Sequence, residues 1–142
     1  MEVLNKAKYH SEGDFPAGLL RSQAYLPGGM FVAWCALNGL LSVQICDDFK
    51  DECEDLASRR KSPCSLYRAF GGVFFDFHLN EKGFSFAKFY FDFECGAYLD
   101  DFIDVLAEEL PSVYHVADDW GNYDKLSAVI NRHYREWEKE GR

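Results

Sequence analysis

Asp47, Asp48, Asp51 and Glu52 stand at relative positions 0, 1, 4 and 5, a spacing that puts four carboxylates on one side of a helix. Such a set can hold a divalent cation, face a basic partner, or simply stay solvated. A cation needs further ligands, and no Glu-x-x-His helix accompanies the group. The carboxylates continue through Glu54 and Asp55, with Lys50 the only base among them. Two readings therefore remain: a solvated helix face, or a surface for a basic protein. A second candidate is Asp118-Asp119-Trp120, in a polar stretch. Loops carry function disproportionately, and tryptophan is enriched at interface hot spots. The competing reading has Trp120 anchoring its loop on the core.

His10, His78, His115 and His133 form no H-x-x-x-H or H-E-x-x-H pattern. Gly28-Gly29 and Gly71-Gly72 match neither a phosphate-binding loop nor a dinucleotide fingerprint, and read as turns or breaks. There is no G-x-S-x-G. His115, between Tyr114 and Val116, reads as a buried imidazole tied to a carboxylate or carbonyl. Five cysteines occur, with no C-x-x-C pair. Cys35, Cys46 and Cys53 fall at apolar helical positions, where a buried, inert thiol is expected. The residues thus point to no enzyme, no metal and no cofactor.

Net charge is −9 and concentrates upstream: Lys125–Arg142 holds five basic and three acidic residues, leaving −11 on residues 1–124. That balance repels nucleic acid and anionic membranes. It suits a basic protein partner, through steering and complementarity. The length, 142 residues, fits a single domain over 1–142. No apolar run approaches the ~18 residues of a membrane span, and MEVLNKAKYH lacks a signal-peptide core. Reduced cysteines in a cytoplasmic location are the expectation.

These side chains need elements to hold them, and the chain reads as mainly α. The expected architecture is a single-domain helical bundle around a central buried helix at about 27–39. MFVAWCALNGLL, Met30 to Leu41, is apolar at ten of twelve positions, as a helix buried on most sides must be. Pro27 suits its first turn and Gly39 a left-handed C-cap. Residues 1–21 read as an irregular arm anchored by Tyr9 and Phe15. Ser42 caps a second helix over 43–58, whose apolar stripe is Val43, Cys46, Phe49, Cys53 and Leu56. Ser62-Pro63 opens a third helix through Phe70.

Residues 71–102 contain eleven of the 24 aromatic residues. A short β-hairpin within 72–93 and a helix over 81–92 capped by Asn80 are both compatible with the pattern, and the helical reading is favoured. A further helix spans Tyr98–Glu109, with Leu99, Phe102, Ile103, Leu106 and Leu110 inward. The last starts at Asn122 or Asp124 and runs to Lys139.

Several segments together resemble a family of small bacterial proteins known mainly as an uncharacterised domain. They are Lys8-Tyr9-His10, Gly13-Asp14-Phe15-Pro16, Gly29-Met30-Phe31 with Ala33-Trp34 and Asn38-Gly39-Leu40, then Leu79-Asn80-Glu81 with Gly83 and Phe86-Ala87, and Tyr98-Leu99. Leu110-Pro111-Ser112, Tyr114-His115-Val116, Asp119-Trp120, Asn122-Tyr123 and Leu126 complete the set. The chain departs from the family where Leu26-Pro27-Gly28-Gly29 replaces Thr-His-Ile-Gly, so a family histidine is missing here. Members are similar in size and context to immunity proteins of secreted bacterial toxins.

The resemblance implies a cytoplasmic protein that binds and neutralises one cognate toxin by stoichiometric inhibition, without an active site. The acidic charge suits a nuclease toxin, whose groove must be basic to hold phosphates. The partner-binding residues so nominated are Asp47, Asp48, Asp51, Glu52, Glu54, Asp55, Asp118, Asp119 and Trp120. The alternative is a small enzyme or ligand-binding protein with an aromatic-lined pocket from 71–102.

Overall fold

A computed structural model describes residues 2–11 and 15–141, leaving aside the side chains of Tyr9 and Ser11. It is mainly helical, with one small antiparallel sheet. The expected anchor at Tyr9 lies outside the described side chains.

Helix α2, Leu26–Leu37, is the centre, and its residues Leu26 through Cys35 are all buried. It stops where expected: Asn38 is the C-cap, Gly39 turns left-handed at φ 71°, and the Leu40 N–H reaches back to the Cys35 carbonyl at 3.0 Å. Rings pack around it. Phe31 stacks on Phe91 at 4.5 Å, and Trp34 meets Phe86 at 5.5 Å and Tyr134 at 5.3 Å. The Trp34 indole N–H donates to Asn131 Oδ1 at 2.8 Å, so this polar end is satisfied inside the core. Tyr98 donates its hydroxyl to the Pro27 carbonyl.

Gly28 and Gly29 do more than break a turn. They lie inside α2, where helix α5, Ser65–Ala69, the residue before it and the Asn5 side chain all press close. A Cβ on Gly29 would sit 2.5 Å from Cys64 Sγ, and one on Gly28 would sit 2.9 Å from the Tyr67 ring. The absence of side chains lets the two backbones approach.

The N-terminal segment is ordered where an irregular arm was expected. Strand β1, Val3–Lys6, pairs antiparallel with β2, Val73–Phe75, and a short helix α1, Ala7–Ser11, follows it. Of the two readings of 72–93, the favoured helix is the one present, and the hairpin does not form because β2 takes this N-terminal strand as its partner. Residues Glu81–Tyr90 form helix α6, capped as expected by Asn80, whose side chain accepts from Gly83 N–H at 2.8 Å.

Other boundaries also shift. The helix expected over 43–58 is two: α3, Val43–Asp48, capped by Ser42, and α4, Lys50–Ala57. Phe49, at φ −118° and ψ 35°, breaks it, and its ring packs edge-on against Phe70 at 4.9 Å. The break turns Val43, 79% exposed, away from the core, and Cys46 is exposed as well. Cys35 and Cys64 are buried, and burial pushes both thiols up. Cys53 is half-buried and pushed up to about 11, chiefly by burial.

Helix α5 starts two residues later than Pro63 suggested, because a turn through Pro63 and Cys64 precedes it. Helix α7, Tyr98–Phe102, opens into a π turn over Ile103–Ala107. A π turn holds more residues per turn and so shifts the angular position of its side chains: Ile103 is 37% and Leu110 40% exposed, against the inward positions expected of them. Helix α8, Trp120–Lys139, begins earlier than expected: Asp119 caps it, accepting from Asn122 N–H at 2.8 Å. Tyr123, Leu126, Ile130 and Trp137 form its buried stripe.

Candidate protein-interaction face

The break at Phe49 divides the acidic run. Asp47 and Asp48 end α3, while Asp51 and Glu52 open α4, so the four do not share one side of one continuous helix. Carboxylates in the first turn of α4 complement its dipole. Asp47, Asp48, Asp51, Glu52 and Glu54 are all exposed. Asp48 takes two hydrogen bonds from the Gln44 amide, at 2.9 and 3.0 Å. Asp55 is half-buried and holds Arg60 Nε at 3.0 Å. Asp51, Glu52 and Asp55 come together along a cleft of about 470 Å³, whose far wall carries Lys61 and Arg68.

The second nominated group meets the end of this helix. Helix α4 closes in a Schellman turn: Arg59 N–H bonds the Leu56 carbonyl at 3.0 Å and Arg60 N–H the Asp55 carbonyl at 2.9 Å. Glycine usually takes the left-handed position in such a turn. Here Arg59 does, at φ 60°. Its guanidinium lies 4.4 Å from the centre of the Trp120 ring and grips Asp124 with two hydrogen bonds, at 3.0 and 2.7 Å. The Trp120 indole N–H donates to the Lys61 carbonyl at 2.9 Å. Arg59 holds the Asp124 carboxyl below its usual value, and Asp124 raises Arg59 in return.

Asp118 and Asp119 hold structure together. Asp118 accepts Arg68 Nη1 at 2.7 Å and the Cys64 N–H at 3.0 Å, and its side chain is only 12% exposed. Asp119 is the α8 cap. Of the nine nominated residues, the five exposed carboxylates of α3 and α4 and the outer side of Trp120 remain for a partner to meet, while Asp119, also exposed, is committed to the α8 cap.

Sequence reasoning missed Arg59 and Asp124 because they are 65 residues apart and neither belongs to a motif. Arg59-Arg60-Lys61 reads as cations at a helix end, which conceals the turn. It also missed a polar chain linking the N-terminus to the loop before α8. Tyr67 donates its hydroxyl to Asn5 Oδ1 at 2.6 Å, Asn5 Nδ2 donates to His10 Nε2 at 3.0 Å, and His10 Nδ1 meets the Tyr114 hydroxyl at 2.7 Å. An amide nitrogen can only donate, so His10 Nε2 accepts and the proton sits on Nδ1. Burial lowers the His10 pKa, consistent with a neutral ring. His115 bonds Ser112 Oγ at 2.8 Å rather than a carboxylate or carbonyl, and is half-buried.

The rings of 71–102 mostly pack on one another: Phe74, Phe86, Tyr90, Phe91, Tyr98 and Phe102 are at most 2% exposed. Phe93, with Phe77 and Phe84, borders surface clefts, of about 340 Å³ for the first and about 230 Å³ for the other two. Among the described residues, no three His, Cys, Asp or Glu side chains converge as a metal-ligand set. No helix among them is long and apolar enough to cross a membrane.

A family model for a domain of unknown function, DUF7832, matches residues 3–116, and the chain belongs to that family. The match includes the acidic face and the polar chain from Tyr67 to Tyr114, and ends before α8. No curated protein and no solved structure matches the chain.

Proposed function

We propose that this member of the DUF7832 family is an immunity protein: a cytoplasmic, stoichiometric inhibitor that binds a cognate nuclease toxin through α3, α4 and the adjoining Trp120. The observation that carries the reading is the row of five exposed carboxylates on two consecutive helices, in a chain of net charge −9. The similarity of the family's members, in size and context, to immunity proteins supports the same reading.

Electrostatic complementarity explains how such a face would work. A nuclease groove holds phosphates on lysines and arginines, and an acidic surface meets it with opposite potential. Long-range attraction speeds encounter, while close-packed aromatic and arginine contacts slow dissociation. Trp120 and Arg59 stand at the edge of the acidic face in the position of such an anchor. The reading requires association through this face. It does not require that the toxin's catalytic groups themselves be covered.

The test is co-expression with the toxin encoded by the adjacent gene. Surviving cells and a 1:1 complex on gel filtration are the expected result. Continued killing, together with two separate peaks from the purified pair, would remove the proposal.

A further inference from the structure

We propose that the cleft between β1, α1 and the 3₁₀ turn at Arg21–Tyr25 binds a small phosphate-bearing molecule. The cleft is about 510 Å³, within the range of ~300–1,000 Å³ typical of small-molecule sites. Lys6, Lys8 and Arg21 line it, and no carboxylate does among the described residues. Acidic residues outnumber lysine and arginine 24 to 15 in this chain, so a cavity with three cations runs against its composition.

The three cations come from three elements: Lys6 from β1, Lys8 from α1 and Arg21 from the 3₁₀ turn. Only the folded chain gathers them. Each also has an interaction of its own within the structure. A guanidinium has five donors and an ammonium three, so an anion adds to those contacts rather than requiring an idle cation. The Arg21 fork matches a phosphate, and the Ser22 hydroxyl on the same wall offers another donor.

The rest of the wall is built for a molecule larger than a bare ion. Tyr25 lines the cleft with a half-buried ring. The floor is fixed at Gly72, whose carbonyl accepts the Ala7 N–H at 2.8 Å. Gly72 is left-handed at φ 73°, and a Cβ there would strike the Tyr25 ring at 2.8 Å. Any side chain at this position would push into the ring that forms the wall. The cleft is separate from the acidic one: Arg68 stands between them, 5.4 Å from the Tyr25 ring and paired with Asp118. Its occupancy therefore does not depend on the toxin-binding reading.

The experiment is isothermal titration of the full chain, at low salt, with AMP, inorganic phosphate and adenosine. AMP should bind, phosphate should bind more weakly, and adenosine should give no heat. The exposed pair Lys8→Gln/Arg21→Gln should weaken AMP by about tenfold or more, a change of about 1.4 kcal/mol. Arg21→Gln alone should weaken it in the same direction, which covers a double variant that folds poorly. The proposal is overturned if neither AMP nor phosphate binds at about 10 mM. It also fails if adenosine binds as well as AMP, or if folded variants keep full affinity.

Discussion

Arg59 lays its guanidinium 4.4 Å from the centre of the Trp120 ring while its own backbone is held left-handed at φ 60°. A non-glycine residue in that conformation is strained and persists only where its surroundings hold it. Here the indole stack and the bidentate grip on Asp124 do so. The single residue thereby ties the end of the acidic helix to the start of α8. Glycine relieves the backbone but drops both contacts, and alanine drops the contacts while keeping the strain. Arg59→Ala should therefore melt below Arg59→Gly in a thermal scan. Equal midpoints would mean that the left-handed backbone stores no strain.

The helical content was legible in the sequence because its signals are local. Ser42, Asn80 and Gly39 cap the elements they were expected to cap, and the Met30–Leu41 run lies at the centre. What failed was non-local. Nothing near Val3–Lys6 announces that β2 will pair with it, so the N-terminus read as irregular and 72–93 as a hairpin candidate. The bend at Phe49 arises from its packing on Phe70, which periodicity cannot register. At the candidate face the carboxylates were legible as a charge run. The partnership of Arg59 with Trp120 and Asp124 was not, because it crosses 61 and 65 residues of chain.

Gly29 tests the close approach of α2 to Cys64. Gly29→Ala places a methyl 2.5 Å from Cys64 Sγ and 3.1 Å from its Cα. Overpacking of that kind costs about 1–3 kcal/mol, readable as a lower urea midpoint. Gly121→Ala, where the nearest heavy atom is Asp119 Oδ1 at 3.5 Å, should be neutral or stabilising. A neutral Gly29→Ala would show that the helices can part without cost.

Trp34 tests the core. It is fully buried and its indole N–H is bonded to Asn131. Trp34→Ala should lose about 3–5 kcal/mol in chemical denaturation, a large part of a typical domain stability of about 5–15 kcal/mol. A loss below about 1 kcal/mol would contradict its central place.

Stability should fall with acid in a defined window. Burial lowers the pKa of both His10 and His78, and the His78 ring also accepts the Phe75 N–H at Nδ1, at 2.9 Å. Between those lowered values and about 6.5, the unfolded chain binds more protons than the folded one, so stability rises with pH. The contribution is complete above about pH 6.5 and is lost as pH falls through the folded values. Asp124, held low by Arg59, adds a loss in strong acid, below about pH 3.9. Thermal midpoints measured from pH 8 to 4 should therefore be level at first and then decline below about 6.5. His10→Gln should flatten part of that decline. A level midpoint down to pH 5 would contradict neutral, buried imidazoles.

The central claim is that the carboxylates of α3 and α4 guide a basic toxin onto this face. Stopped-flow association of the purified chain with the adjacent-gene toxin, at low and high salt, measures it directly. Asp47→Lys/Asp48→Lys/Asp51→Lys should slow association by about tenfold or more at low salt, because steering of this kind changes on-rates by about 10–10³. The gap should narrow as salt shortens the Debye length to about 3 Å at 1 M. An unchanged rate at low salt would remove α3 and α4 from the interface, and no complex at all would remove the toxin-binding reading with it.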